Sequence, residues 1–109
     1  MARVLAVVPD LMLASRIDAT LGAEGHEVEL ASSLEALEVS DPGPDIVVAD
    51  LGEVDSSQLG RVETPVLGFY SHVDVETRSR AERAGVDLVV PRSRLAREMP
   101  QLVEALLGR

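Results

Sequence analysis

Four side chains with reactive or charged groups each stand at the end of a short apolar run. Asp50 follows the run "DIVVA", and Asp10 follows "VLAVVP". Tyr70 ends "PVLGFY", and Arg92 follows "DLVVP". If these runs are parallel strands, their carboxyl ends share one edge of a sheet, which is where such sheets bind ligands. A carboxylate at that edge is a reactive group, a cation ligand or a structural charge, and the elements that position it decide which.

Five apolar runs predict five strands, at residues 3–8, 26–31, 45–49, 65–70 and 87–90. Four of them are continuous and rich in Val, as strands buried on both faces are. The run 26–31 alternates polar and apolar residues, as an edge strand does. Gly68 indicates a close approach of backbone or a bulge in the fourth strand.

Amphipathic stretches between the strands predict five helices, of which the third is stunted. After Asp10, apolar residues recur at helical spacing until Gly25 closes the helix: Leu13, Ala14, Ile17 and Leu21. Ser32 and Glu35 have the spacing of a capping box and predict a short second helix to about Val39.

The second half of the chain continues the alternation. One or two helical turns are expected from Ser56, and Asp74 is expected to cap a helix that Gly85 ends. Pro100 is expected in the first turn of the terminal helix. Strands alternating with helices predict one α/β domain over residues 1–109, with a parallel sheet covered on both faces.

Composition excludes several functional classes. The net charge of -9 and the single Phe and single Tyr argue against nucleic-acid binding. The absence of cysteine excludes disulfides and thiolate chemistry, and the absence of lysine excludes mechanisms that need an amine. The apolar stretch "VLAVV" is too short for a signal peptide or a membrane span, so we expect a cytoplasmic protein without membrane contact.

Charge is distributed unevenly along the chain. Residues 1–63 contain 3 Arg and 13 acidic residues, whereas residues 64–109 contain 7 Arg and 6 acidic residues. We interpret this as a gradient without function; the alternative is a surface that attracts a basic partner or pairs head to tail.

Three common ligand motifs are missing. No G-x-G-x-x-G follows the first strand, which argues against a dinucleotide, and no P-loop motif occurs. The segment "PDLML" lacks the Gly, Ser and Thr residues that cradle a flavin phosphate.

Over nearly its full length the chain resembles the receiver domain of two-component response regulators. The similar stretches are "VLAVVPDLML", "PDIVVADL", "TPVLGFYSHVD", "AERAGVDLVVPRS" and the last helix. The resemblance implies a flavodoxin-like, doubly wound sheet with strand order 2-1-3-4-5. It also implies that Asp50 is the phosphoacceptor, that Asp10 and Asp50 are magnesium ligands, and that the Gly52 carbonyl completes the cation site.

Other positions depart from the family pattern. Pro9 replaces the first residue of the acidic pair, Tyr70 replaces a Thr or Ser, and Arg92 replaces a Lys. Val89 stands where an aromatic residue is common. A cleft without these groups is expected to bind Mg²⁺ weakly and to capture a phosphoryl group poorly, because phosphoryl transfer to a carboxylate needs cations and fixed positive donors.

These departures lead to specific expectations for single residues. Arg92 is expected either to pair with Asp50 or Asp10 in place of a metal or to extend into solvent. Asp10 is expected as a metal ligand or as a carboxylate that caps its helix. Tyr70 is expected to fill the pocket, and His26 and His72 are expected to be solvated.

We therefore expect a stand-alone, atypical receiver-like domain that acts as a protein-interaction module, without enzymatic activity and without a required cofactor. One alternative is a response regulator phosphorylated on Asp50 with Mg²⁺, and another is a flavodoxin-like domain that binds a small ligand. The resemblance implies a histidine kinase or an output protein as partner, and a homodimer through the last strand and last two helices as one form of assembly. That surface contains six arginines: Arg78, Arg80, Arg83, Arg92, Arg94 and Arg97.

Overall fold

Five parallel strands form one sheet in the computed structural model, which describes residues 2–39, 42–71 and 75–108. The strands are β1 (Arg3–Val7), β2 (Glu27–Ala31), β3 (Ile46–Asp50), β4 (Val66–Tyr70) and β5 (Leu88–Pro91). Their order is β2-β1-β3-β4-β5, and every neighbouring pair is parallel. The predicted flavodoxin-like order 2-1-3-4-5 is confirmed.

Helices cover both faces of this sheet. They are α1 (Leu11–Ala23), α2 (Ala36–Val39), α3 (Ser56–Leu59), α4 (Val75–Ala84) and α5 (Arg92–Leu107). Helices α1 and α5 pack on one face around one apolar cluster, and α3 and α4 pack on the other face around a second cluster. The sheet is therefore buried between two layers, as its continuous apolar strands predict.

Helix α1 follows its sequence pattern closely. Its predicted apolar residues are the buried ones: Leu13, Ala14, Ile17 and Leu21. Asp10 is the N-cap, and Gly25 adopts a φ of 90° that only glycine reaches easily.

One helix start differs from prediction. Helix α2 begins at Ala36, so Ser32 is not its N-cap; residues 32–35 form bends and turns instead. Helix α5 runs from Arg92, but Glu98 has non-helical backbone (φ -123°, ψ 18°), so α5 consists of two helical segments that meet there. Pro100 lies in the first turn of the second segment, as predicted, where its missing N–H costs no helical hydrogen bond.

Carboxylates at the amino edge of the sheet complete backbone hydrogen bonds. Asp45 accepts a hydrogen bond from the Arg3 N–H at 2.8 Å, and Asp87 accepts one from the Val66 N–H at 2.8 Å. Two acids of this acidic chain thus have structural roles at strand ends.

Two of the expectations above fall outside the described residues, namely the helix cap at Asp74 and the environment of His72. Among the residues that are described, no helix combines the length and the apolar composition that crossing a membrane requires.

Candidate functional site

The carboxyl edge of the sheet brings together the four residues that the sequence singled out. Asp50 and Tyr70 are the last residues of β3 and β4. Asp10 caps α1 just after β1, and Arg92 is the first residue of α5. The parallel topology thus places all four at one edge, as predicted.

Asp50 is largely buried, with 8% of its surface exposed. Its Oδ1 accepts a hydrogen bond from the Gly52 N–H at 2.9 Å. Its backbone carbonyl accepts bonds from the N–H groups of Glu53 and Val54 at 3.1 and 2.9 Å. A tight turn therefore orients this carboxylate at the end of its strand.

The loop after Asp50 is anchored by a close contact with β4. The Leu51 side chain lies against Gly68, where an added Cβ would come within 2.8 Å of Leu51 Cδ2. The predicted close approach at Gly68 is thus a side-chain contact, and any residue larger than glycine there would require the Leu51 side chain to shift.

Asp10 has both carboxylate oxygens engaged. Oδ1 accepts hydrogen bonds from the N–H groups of Met12 and Leu13 at 3.0 and 3.3 Å, which caps α1. Oδ2 lies 3.5 Å from Arg92 Nη2. The expected helix-capping role of Asp10 is confirmed, and the carboxylate also forms an ion pair.

Arg92 reaches Asp10 because α1 and α5 pack side by side on the same face of the sheet. The Arg92 and Asp10 side chains are 42% and 44% exposed. A pair this exposed contributes ~0–1 kcal/mol to stability. Of the two expectations for Arg92, pairing with a carboxylate is confirmed, the partner is Asp10, and full extension into solvent is wrong.

Tyr70 lies on the opposite face of the sheet from α1 and α5. Side chains alternate along β4, so that Leu67 and Phe69 join the cluster under α1 and α5. Tyr70 is half-buried against the other cluster, together with Val89 from β5. The aromatic ring thus packs on the side that carries α3 and α4.

The donor set for a divalent cation is small. Pro9 is exposed and supplies no carboxylate, which leaves Asp10 and Asp50. Within the described ranges, no three His, Cys, Asp or Glu side chains are grouped so that they could hold a metal ion. Mg²⁺ is commonly held by one or two carboxylates with water and phosphate oxygens, so Asp10 would have to release Arg92 to take part. The residues present match a magnesium site poorly.

Solved structures with the same architecture are receiver domains. The receiver domain protein (CheY-like) of Methanospirillum hungatei has a TM-score of 0.86 and 18% identity, and the match covers 99% of this chain and 94% of that one. A response regulator signal receiver domain from Bermanella marisrubri has a TM-score of 0.81 and 21% identity, covering 96% and 97% of the two chains. The receiver domain of NtrX from Brucella abortus has a TM-score of 0.81 and 22% identity, covering 96% and 98%. The chain has the receiver fold.

At these identities the likeness establishes the receiver fold alone. No protein-family model matches the sequence, and no curated protein sequence matches it significantly. The chain spans only 26–27% of the longer NtrX chains from Brucella abortus that it also matches.

In this receiver fold, the six arginines of the last helices, here called the arginine face, are mostly paired with neighbours. Three of them form ion pairs within their own helix, Arg78 with Glu82, Arg80 with Glu76, and Arg94 with Glu98, at 3.1–3.5 Å. Arg83 and Arg97 each donate to the backbone carbonyl four residues earlier, of Ser79 and Ser93. The arginine face is thus less basic than the sequence suggests.

His26 is the residue that sequence reasoning misplaced. It is buried, with 8% exposed, and its Nδ1 accepts a hydrogen bond from the Ala2 N–H at 3.1 Å. Its Nε2 lies 3.1 Å from Glu104 Oε1 on α5. The expectation of a solvated imidazole is wrong, because its partners are Ala2, just before β1, and Glu104 of α5. Both are far away in sequence, so no local signal could have indicated them.

Proposed function

We propose that this chain is an atypical receiver-fold module that acts in the cytoplasm by contact with a protein partner, without phosphoryl transfer and without catalytic turnover. The observation that carries the proposal is the pairing of Arg92 with Asp10. The acid that would be expected to bind magnesium already caps α1 and faces a guanidinium.

The chemistry of phosphoryl transfer supports this proposal. Attack by the Asp50 carboxylate on a phosphoryl donor brings negative charges together, so it depends on a cation and on fixed positive donors. Arg92 is engaged with Asp10, and the Tyr70 ring packs on the α3 and α4 side of the sheet. A guanidinium also suits bidentate contact with a carboxylate better than a point contact with a phosphoryl oxygen.

Phosphorylation of Asp50 with bound Mg²⁺ is the second candidate, and one observation favours it. Asp50 sits at the end of β3 with Oδ1 held by the Gly52 N–H, and no described residue forms a hydrogen bond or an ion pair with Oδ2. The nucleophile is therefore oriented, and what it lacks is charge neutralisation.

We propose the partner by class. A receiver-fold module without an acceptor function would signal through a histidine kinase or an output protein, or as a homodimer through β5, α4 and α5. The ion pairs of the arginine face are exposed, so a partner could exchange them for its own carboxylates at little cost.

Labelling with an acyl phosphate tests the proposal. The full chain is incubated with acetyl phosphate and a series of Mg²⁺ concentrations, and intact mass is measured. We expect no phosphoryl adduct on the wild type. A variant with the family residues restored, Pro9→Asp, Tyr70→Thr and Arg92→Lys, is expected to gain Mg²⁺-dependent labelling.

Asp50→Asn is the matched control, since it removes the nucleophile and keeps the side-chain shape. In the restored variant it should abolish labelling, which would locate the adduct. A Mg²⁺-dependent adduct on the wild type that Asp50→Asn removes would refute the proposal and support the second candidate.

A further inference from the structure

An open groove lies between α2 and α3, on the face of the sheet opposite α1 and α5. Its volume is about 490 Å³, and three apolar side chains line it: Leu34, Leu37 and Val62. All three are half-buried and pack against the apolar cluster of that face. Each wall is a helix of four residues, so the apolar surface is only partly covered.

The rim of this α2–α3 groove is acidic. Glu35, in the turn before α2, and Glu38 of α2 line it, and both are exposed. Among the described residues, neither carboxylate has an ion-pair or hydrogen-bond partner for its side chain, whereas Arg61 contributes the single positive charge of the lining.

The surrounding sequence extends this charge. Residues 27–63 contain ten acidic residues and only one arginine, Arg61. Several of the acids are used internally, such as Asp45 and Asp55 in hydrogen bonds to backbone N–H groups. Glu35 and Glu38 are not used in this way, so their charge is available to a partner.

We propose that the α2–α3 groove docks an amphipathic, basic helix of a protein partner. Leu34 and Leu37 are three residues apart, and with Val62 they present an apolar strip that matches the i, i+3, i+4 ridge of a helix. Lys or Arg residues flanking that ridge would face Glu35 and Glu38. The inference rests on the proposed interaction role and names a surface and a partner chemistry for it.

Charge distinguishes this occupant from a second copy of the chain. On α4 of another copy, Arg78 and Arg80 are already paired with Glu82 and Glu76, so docking that helix would exchange existing ion pairs rather than add new ones. A basic partner helix supplies the missing charge without breaking pairs.

Synthetic helices of about 18 residues test the inference. Two probes carry a Leu ridge at i, i+3, i+7 or at i, i+4, i+7 with flanking Lys and Arg, and a third carries the same ridge with flanking Glu. Binding to the full chain is measured by fluorescence anisotropy at about 50 mM and about 300 mM salt. At least one basic probe is expected to bind, more weakly at high salt, and the acidic probe is expected not to bind.

A pair of double variants separates the groove from overall charge. Glu35→Gln/Glu38→Gln should weaken binding of the basic probe by about tenfold at low salt. Asp18→Asn/Glu24→Gln removes the same charge from an exposed position on α1 and from its exposed C-cap, and should leave binding within about twofold. Amide shifts on titration should fall in residues 33–38 and 58–62.

Three results would overturn the inference. They are failure of both basic probes to bind, equal weakening by the two double variants, and dimerisation in sedimentation experiments that Glu35→Gln/Glu38→Gln abolishes. None of these depends on Asp50, so a phosphoryl adduct on the wild type would refute the proposed function and leave the groove unaffected.

Discussion

The arginine face and the α2–α3 groove show opposite uses of charge in one small domain. On α4 and α5, acidic and basic residues alternate at a spacing of four, so the charges neutralise each other along the helix. At the groove, Glu35 lies just before the one-turn helix α2 and Glu38 lies within it, and no basic residue follows either of them at helical spacing. A long helix can satisfy its own charges, whereas a one-turn helix leaves them to a partner.

The largest expected difference in stability is between a leucine buried under α3 and a leucine that lines the groove, when each is replaced by alanine. Leu59 is 1% exposed beneath the short helix, and Leu59→Ala should lower the free energy of unfolding by ~2–5 kcal/mol. Leu37 is half-buried at the groove, and Leu37→Ala should lower it by no more than about 1 kcal/mol. Urea denaturation of both variants measures this, and equal losses would mean that the groove is closed core.

Gly60 lies where the end of α3 meets the end of α4. A Cβ on Gly60 would lie 1.9 Å from the Ala84 carbonyl oxygen at the end of α4, so no side chain can be accommodated without moving α3. Gly60→Ala should destabilise the fold by ~1–3 kcal/mol.

The control for Gly60 is Gly22, which lies inside α1 with open space around it. Gly22→Ala should stabilise the fold by ~0.5–1 kcal/mol, because alanine favours helix. Thermal denaturation of the two variants measures whether each one is destabilised or stabilised. A neutral Gly60→Ala would show that α3 and α4 are not in close contact.

The ion pairs of the arginine face should contribute little. Arg80→Gln removes the contact with Glu76 and should cost ~0.3–0.5 kcal/mol at low salt, with less effect as salt rises. Urea denaturation at two salt concentrations checks this. A larger, salt-independent loss would contradict the view that these pairs are easily exchanged.

The smallest expected effect is a pH dependence at the start of α3. The Ser57 hydroxyl and then the Ser57 N–H donate to Asp55, and these hydrogen bonds hold the pKa of Asp55 below its ordinary value of 3.8. Because the pKa of Asp55 is lower in the folded state, the cap stabilises α3 at pH values above the pKa of Asp55 in the unfolded chain. This stabilisation is lost as the pH falls through the pKa of Asp55 in the folded chain. The Ser57 amide signal should therefore shift as the pH falls below about 4. Asp55→Asn should abolish this shift. A wild-type signal that does not change below about pH 4 would contradict the cap.

Much of the candidate site could be predicted from local pattern. Asp10 before a periodic apolar stretch indicated an N-cap, and Asp50 after a buried run indicated a carboxylate at the sheet edge. The stunted α3 followed from the segment between Asp50 and Tyr70, which is too short for a full third helix. Each of these signals lies within a few residues of the feature it predicts.

Other features required the folded chain. Whether Arg92 would reach Asp10 or Asp50 depended on α1 and α5 packing together, although 82 positions separate residues 10 and 92. The start of α2 at Ala36 and the burial of His26 were likewise decided by tertiary packing.

By itself, the amino-acid sequence determined the strands, the face of α1 that is buried, and the presence of four chemical groups at one edge of the sheet, because periodicity and capping act over a single turn or strand. Only the tertiary structure decided that Arg92 pairs with Asp10, that Tyr70 faces away from α1 and α5, and that Glu35 and Glu38 border an apolar groove. Those outcomes depend on which helices become neighbours, and that is set by contacts between residues distant in the chain.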